Sequence, residues 1–264
     1  MLLRLQIVTA DQGARWVRRG FQVFARRPVA FSALLLAFFF ASLLASVLLP
    51  MVGGVLSLMA LPLLSLGFMT ATQAALTGGP VHPGQLAQPL RVRGPRRLTL
   101  LKLCALYGGL ALLALLLADA VVGDAWEELR TLYASGNVTP EQARAATSDP
   151  RLMWGFGLQA LLLSLLSVPF WHAPALVLWG GQGVAQALFS STVAVWRARA
   201  AFTVYGLVWV AVTVTLSTLT ALLAALLGMP QIVPVAAIPL VVMCVAVFYV
   251  TLYFSFTDSF AAEP

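Results

Sequence analysis

Six long apolar runs, almost free of charge, limit this chain more than any other feature. They cover about 29–49, 54–75, 100–122, 153–179, 202–227 and 232–256. A helix crosses the hydrocarbon core of a bilayer in about 20 residues, and each run reaches that length. The runs are continuous rather than alternating, unlike the strands of a transmembrane barrel. Backbone that faces lipid must pair its own N–H and C=O groups, so the runs are predicted to be helices. Composition agrees, because 61% of the 264 residues are apolar and 9% charged. A soluble domain carries about 25% charged residues. The expected fold class is therefore all-α, a polytopic membrane protein of six transmembrane helices. The first run follows a basic segment and is longer than a typical signal core, so it reads as a span.

Charge sets the expected orientation. Arg4, Arg15, Arg18, Arg19, Arg26 and Arg27 precede the first span. Arg91, Arg93, Arg96, Arg97 and Lys102 lie at the connection between spans two and three, and Arg197 and Arg199 between four and five. The other side carries only Arg130, Arg144 and Arg151, so thirteen basic residues face three. Basic loops stay cytoplasmic, which places both termini inside. The net charge of +7 is explained by this topology, and no nucleic-acid partner is expected. Trp16, Trp179 and Trp196 fall at the predicted inner boundary and Trp126 and Trp154 at the outer, as an aromatic belt would.

The chain also repeats. Before each odd-numbered span lies an amphipathic or interrupted stretch ending in paired basic residues: 10–27, 81–97 and 183–198. The second stretch holds three prolines and is expected to be less helical. Each even-numbered span carries a proline at similar depth: Pro62, Pro169 and Pro239. These features divide one integral membrane domain, 1–264, into three tandem parallel units of elbow helix plus hairpin. The segments are a cytoplasmic amphipathic elbow (1–28), hairpin one (29–76), elbow two (77–99), hairpin two (100–179), elbow three (180–200), hairpin three (201–256) and a cytoplasmic tail (257–264). Hairpin two includes an extracytoplasmic helical insertion, 123–152. Within it, 125–134 reads as one helix, and Thr139-Pro140-Glu141-Gln142 starts another through a capping box.

Chemistry-bearing residues are few. An ionisable residue inside a span is a functional-site hypothesis, and His172 is the main one, in Pro169-Phe170-Trp171-His172-Ala173-Pro174. Two prolines five residues apart break helical hydrogen bonds and kink the span. Tyr107, Tyr205, Trp209 and Tyr249 come out at comparable depth, and Trp171, His172, Tyr107, Tyr205 and Tyr249 form a candidate cavity, with His172 bonded to a tyrosine hydroxyl. A satisfied histidine bracing the kink is the competing reading. The hydroxyls Thr213, Thr215, Ser217, Thr218 and Thr220 read as helix packing. Cys104 and Cys244 have neither metal nor disulfide spacing. No phosphate loop, paired membrane acids or nucleophile elbow is visible, so no catalytic residue, metal or cofactor is assigned.

The stretches Trp16-Val17-Arg18-Arg19-Gly20-Phe21-Gln22-Val23-Phe24-Ala25-Arg26-Arg27-Pro28, Gly67-Phe68-Met69 and Trp171-His172-Ala173-Pro174-Ala175-Leu176 resemble an uncharacterised family of proteobacterial six-helix inner-membrane proteins. The resemblance spans most of the chain except 123–152 and implies a bacterial cytoplasmic membrane, but no substrate, cofactor or active residue. A looser likeness is to the membrane domain of glycerophosphodiester phosphodiesterases. No soluble catalytic segment accompanies the spans here, so that activity is not carried over.

Three functions compete. Lipid handling or envelope homeostasis is favoured by the elbows, because Arg near the inner face attracts anionic headgroups. The candidate headgroup residues are Arg18, Arg19, Arg26, Arg27, Arg96, Arg97, Arg197 and Arg199, with anionic membrane lipids as partners. A scaffold for another protein, or a homo-oligomer, would use the insertion or the elbows. A small-solute transporter or channel would need a polar path, for which only His172 and scattered hydroxyls speak.

Overall fold

The computed structural model describes residues 3–92, 94–134, 136, 139, 141–142, 148–229 and 233–262. Ten helices are described in that part: α1 (Gln12–Arg26), α2 (Pro28–Leu48), α3 (Gly53–Leu76), α4 (Pro95–Val122), α5 (Ala125–Ala134), α6 (Pro150–Phe170), α7 (Ala173–Leu178), α8 (Val184–Arg197), α9 (Arg199–Leu226) and α10 (Val233–Ser259). Six helical stretches are long and apolar enough to cross a membrane, with α6 and α7 counting as one. Several reach further than the apolar runs. α4 starts at Pro95, ahead of residue 100, since proline at the first helical position loses no bond. α10 continues past 256 to Ser259.

Both termini lie at the same end of the bundle. Strand β1 (Leu3–Leu5) pairs antiparallel with β2 (Phe260–Ala262), with Leu3 opposite Ala262 and Leu5 opposite Phe260. The apolar runs gave no hint of this pair, which links the two ends of the chain. The same end collects the start of α2 and the end of α3, because the Arg27 guanidinium donates to the Gly79 carbonyl.

The elbows close a ring. α1 packs against α9 and α10, the hairpin at the far end of the sequence. The second elbow consists of two 3-10 turns, Pro83–Leu86 and Gln88–Arg91, and its first turn packs on α2 and α3. α8 packs on α6 and α7. Each elbow thus lies against the preceding hairpin, with the first elbow completing the cycle. Hairpin one touches hairpin two through α3 and α4, and hairpin three through α3 and α10.

α1 fits its place because Trp16, Val17, Gly20, Val23 and Phe24 form one buried stripe, while Arg15 and Arg18 face out. Gly13 lets the two backbones touch, for a Cβ there would overlap the Ala201 carbonyl. Trp16 is 0% exposed, so it is a core residue and not part of the aromatic belt. Trp154 and Trp196 are exposed, as belt residues are.

The core sits toward the end that holds the termini. In α2 only Phe31, Leu34 and Leu35 are buried, all in its first half. α9 and α10 meet near that end through a 2.7 Å bond between the Tyr205 and Thr251 hydroxyls. Further along they part around a cleft of about 310 Å³ that includes Thr213, Ser217, Thr220 and Cys244. Thr213 and Thr220 donate to carbonyls of their own helix, so these hydroxyls line a cleft and do not join helices.

In the insertion, α5 lies on α6, with Trp126 edge-on to Phe156 at 5.3 Å. Asp149 caps α6 by accepting from the Arg151 N–H at 2.7 Å. Its bond to the Arg151 side chain holds the carboxyl below its usual range. Thr139 and Gln142 make both bonds of the capping box. Most of the second helix expected there lies outside the described residues.

Candidate functional site

The kinked span builds the centre of the molecule. Pro169 and Pro174 leave α6 and α7 separated at Trp171 and His172. The lost helical bonds are replaced from outside. The Ser191 hydroxyl on α8 donates to the Val168 carbonyl at 3.1 Å and accepts the His172 backbone N–H at 3.0 Å. Ser191 is fully buried, and one hydroxyl serves both sides of the break. Nothing in the local sequence around Ser191 marks this role, since its partners lie about 20 residues upstream.

The break turns Trp171 inward. Its indole N–H donates to the Ser255 hydroxyl at 3.1 Å, and its rings meet Phe202, Tyr205 and Phe248 edge-on. A central cavity of about 120 Å³ lies where the three hairpins converge, lined by Pro62, Ser65, Tyr107, Ser167, Trp171 and Tyr249 among others. Tyr107, Trp171 and Tyr249 are brought together in its lining. His172 and Tyr205 stand outside the lining. Tyr205 turns to Thr251. His172 lies between Phe202, Phe256 and Phe260, with ring centroids 5.5–6.3 Å away. The expected tyrosine bond is not formed, and neither imidazole nitrogen has a hydrogen-bond partner among the described residues. Trp171 takes the centre and His172 the aromatic flank, and the two rings share one neighbour, Phe202.

The arginines separate into two groups. Arg15 is held by Asp11 at 2.8 Å. Arg19 reaches Asp258 at 3.4 Å and covers the Phe254 ring at 4.1 Å. Asp258 also accepts the Trp16 indole N–H at 2.9 Å, so it ties α1 to α10. Arg27 serves the Gly79 carbonyl. Arg19 and Arg27, expected to meet headgroups, thus have internal partners. Arg18, Arg26, Arg96, Arg97 and Arg197 are exposed, and their side chains make no ion pair or hydrogen bond among the described residues. Arg199 is exposed too, over the Trp196 ring at 5.9 Å. At the opposite end, Arg130 pairs with Glu127, and Arg151 with Glu128 and Asp149.

A second, more polar cavity of about 520 Å³ opens beside Arg96. Its walls come from the last turns of α3, the second elbow, the start of α4 and the end of α7. The sequence places Arg96 among the headgroup residues but gives no sign of the cavity, because its other walls are distant in the chain.

Six spanning helices around an aromatic centre, with arginines gathered at one end, define a polytopic helical membrane protein. The chain is 32% identical over 273 aligned positions to a probable inner membrane protein of Burkholderia thailandensis, a match covering 99% of this chain and 95% of that protein. It belongs to the same family, and it is a multi-pass inner-membrane protein. No family model matches the chain. No solved structure matches it. The likeness to the membrane domain of glycerophosphodiester phosphodiesterases finds no support in these comparisons.

Proposed function

We propose that this protein binds anionic lipid at the arginine-rich end of the bundle and acts in lipid handling or envelope homeostasis. One observation carries the reading. Arg18, Arg26, Arg96, Arg97, Arg197 and Arg199 are exposed at the end that holds both termini, and Asp11 and Asp258, on the segments that meet there, already have arginine partners. Charge left uncompensated at a membrane surface attracts anionic headgroups by about 1 kcal/mol per Lys or Arg. The positive-inside bias supports a cytoplasmic setting for this end, facing the leaflet that such lipids make negative.

The test is native mass spectrometry of protein from mixed nanodiscs of phosphatidylglycerol and phosphatidylcholine. Phosphatidylglycerol is expected to be enriched on the native chain and depleted when Arg18, Arg26, Arg197 and Arg199 are replaced by Gln together. Equal retention of both lipids by the native chain, or unchanged enrichment in the fourfold variant, overturns the reading and leaves these arginines a topological role.

A further inference from the structure

The cavity beside Arg96 has the chemistry of an anion site. Thr70, Gln73, Ala74 and Thr77 of α3 form its first wall, spaced so that all four share one helical face. Gln85, Gln88, Pro89 and Val92 of the second elbow form the next, Arg96 stands at the first turn of α4, and Leu178 and Trp179 complete the ring. None of the described lining residues is acidic. Its volume of about 520 Å³ falls within the range of about 300–1,000 Å³ found for small-molecule pockets.

The donors left over are specific. The Gln85 amide is already used, donating to the Pro80 carbonyl and accepting the His82 N–H. Thr70 and Thr77 donate to carbonyls of their own helix. The Gln73 and Gln88 amides and the Arg96 guanidinium have no hydrogen-bond partner among the described residues, so all three remain available to a ligand. Guanidinium presents a planar fork of donors suited to a phosphate or carboxylate, and amide N–H groups supplement it. The start of α4, a 28-residue helix, adds the partial positive charge of its N-terminus. The lining also includes Leu178, Trp179, Pro89 and Val92, apolar side chains at the level where the spans end. A ligand that is anionic at one end and apolar at the other matches this mixed lining.

We infer that this cavity binds a phosphate group, with Arg96, Gln73 and Gln88 as its donors, and that the phosphate belongs to an anionic phospholipid headgroup. The inference rests on the lipid reading above and locates one defined site within it.

The experiment uses the full chain in the same mixed nanodiscs, with inorganic phosphate added to detergent-purified protein as a separate arm read by thermal shift. One retained phosphatidylglycerol is expected on the native chain. Its occupancy should fall about tenfold or more in Arg96→Ala, as loss of a hydrogen bond to a charged group implies. It should fall less in Gln73→Ala and Gln88→Ala, and not in Arg130→Ala at the far end. If Arg96→Ala does not assemble, the two glutamine variants carry the same expectation. Stabilisation by inorganic phosphate that needs Arg96, without lipid enrichment, supports the site with a free anion and overturns the lipid reading. Retention of the lipid in Arg96→Ala, while the fourfold arginine variant loses it, overturns the cavity and leaves the lipid reading standing. Neither lipid nor phosphate binding overturns both.

Discussion

The first and second elbows hold equivalent places in the ring yet meet their hairpins in opposite ways. α1 is one continuous helix whose stripe from Trp16 to Phe24 is buried against α9 and α10. The second elbow is broken into two 3-10 turns, with Pro83 opening the first and Pro89 inside the second. Proline removes backbone donors and shortens helices, so this elbow cannot present a long stripe. It packs through single residues such as Leu86, which rests against Gly67, and it leaves a polar cavity on its other flank. One topological slot thus serves closure when filled by a helix and leaves a cavity when filled by turns. The third elbow lies between these cases, since α8 is helical but spends a buried hydroxyl, Ser191, on repairing a neighbour's break.

Stability measurements in detergent can break this contrast. The largest effect is expected for Trp16→Ala, which empties the closure core and takes a donor from Asp258, at a cost of about 3–5 kcal/mol in unfolding free energy; a loss under about 1 kcal/mol would mean that α1 is not the element that closes the ring. Gly13→Ala should follow at about 1–3 kcal/mol, because its Cβ meets backbone rather than a movable side chain. Ser191→Ala leaves the Val168 carbonyl and the His172 N–H without their partner and should cost about 1–3 kcal/mol, read in the same denaturation series. Gly67→Ala sharpens the contrast from the other side. Its Cβ meets Leu86 of a short, locally packed turn, so the loss should be smaller than for Gly13→Ala; an equal loss would put the two elbows on the same footing. The smallest change belongs to Arg18→Gln and Arg26→Gln, which should alter stability by no more than about 0.5 kcal/mol while lowering lipid enrichment.

Much of the architecture was legible in advance because a bilayer leaves the backbone few choices. The six spans, the weak helicity of the proline-bearing second elbow and the capping box at Thr139 follow from local composition, and each is found in the structure. The candidate site was legible in part. Depth along the spans groups Tyr107, Tyr205, Trp209 and Tyr249 with His172, but depth is one coordinate, and it cannot say which way the kink turns His172 or which of these residues line the cavity. Trp16 departs from its expected place in the aromatic belt for a related reason. An aromatic residue near a span boundary suits either the headgroup belt or a packed elbow, and only a partner at Asp258 decides between them.

Local sequence settles what must lie in lipid, roughly where the spans run, and on which end the positive charge collects. These are properties of neighbouring residues and of transfer from water to hydrocarbon, so they can be read one segment at a time. The tertiary structure alone decided that the first elbow belongs to the last hairpin, that Asp258 and Ser191 are joints, and that a cavity opens beside Arg96. Those facts depend on residues up to about 240 positions apart along the chain meeting in one place. Apolar helices in lipid are driven together by shape and by a few polar contacts rather than by hydrophobicity, so the local pattern of a span does not name its neighbour.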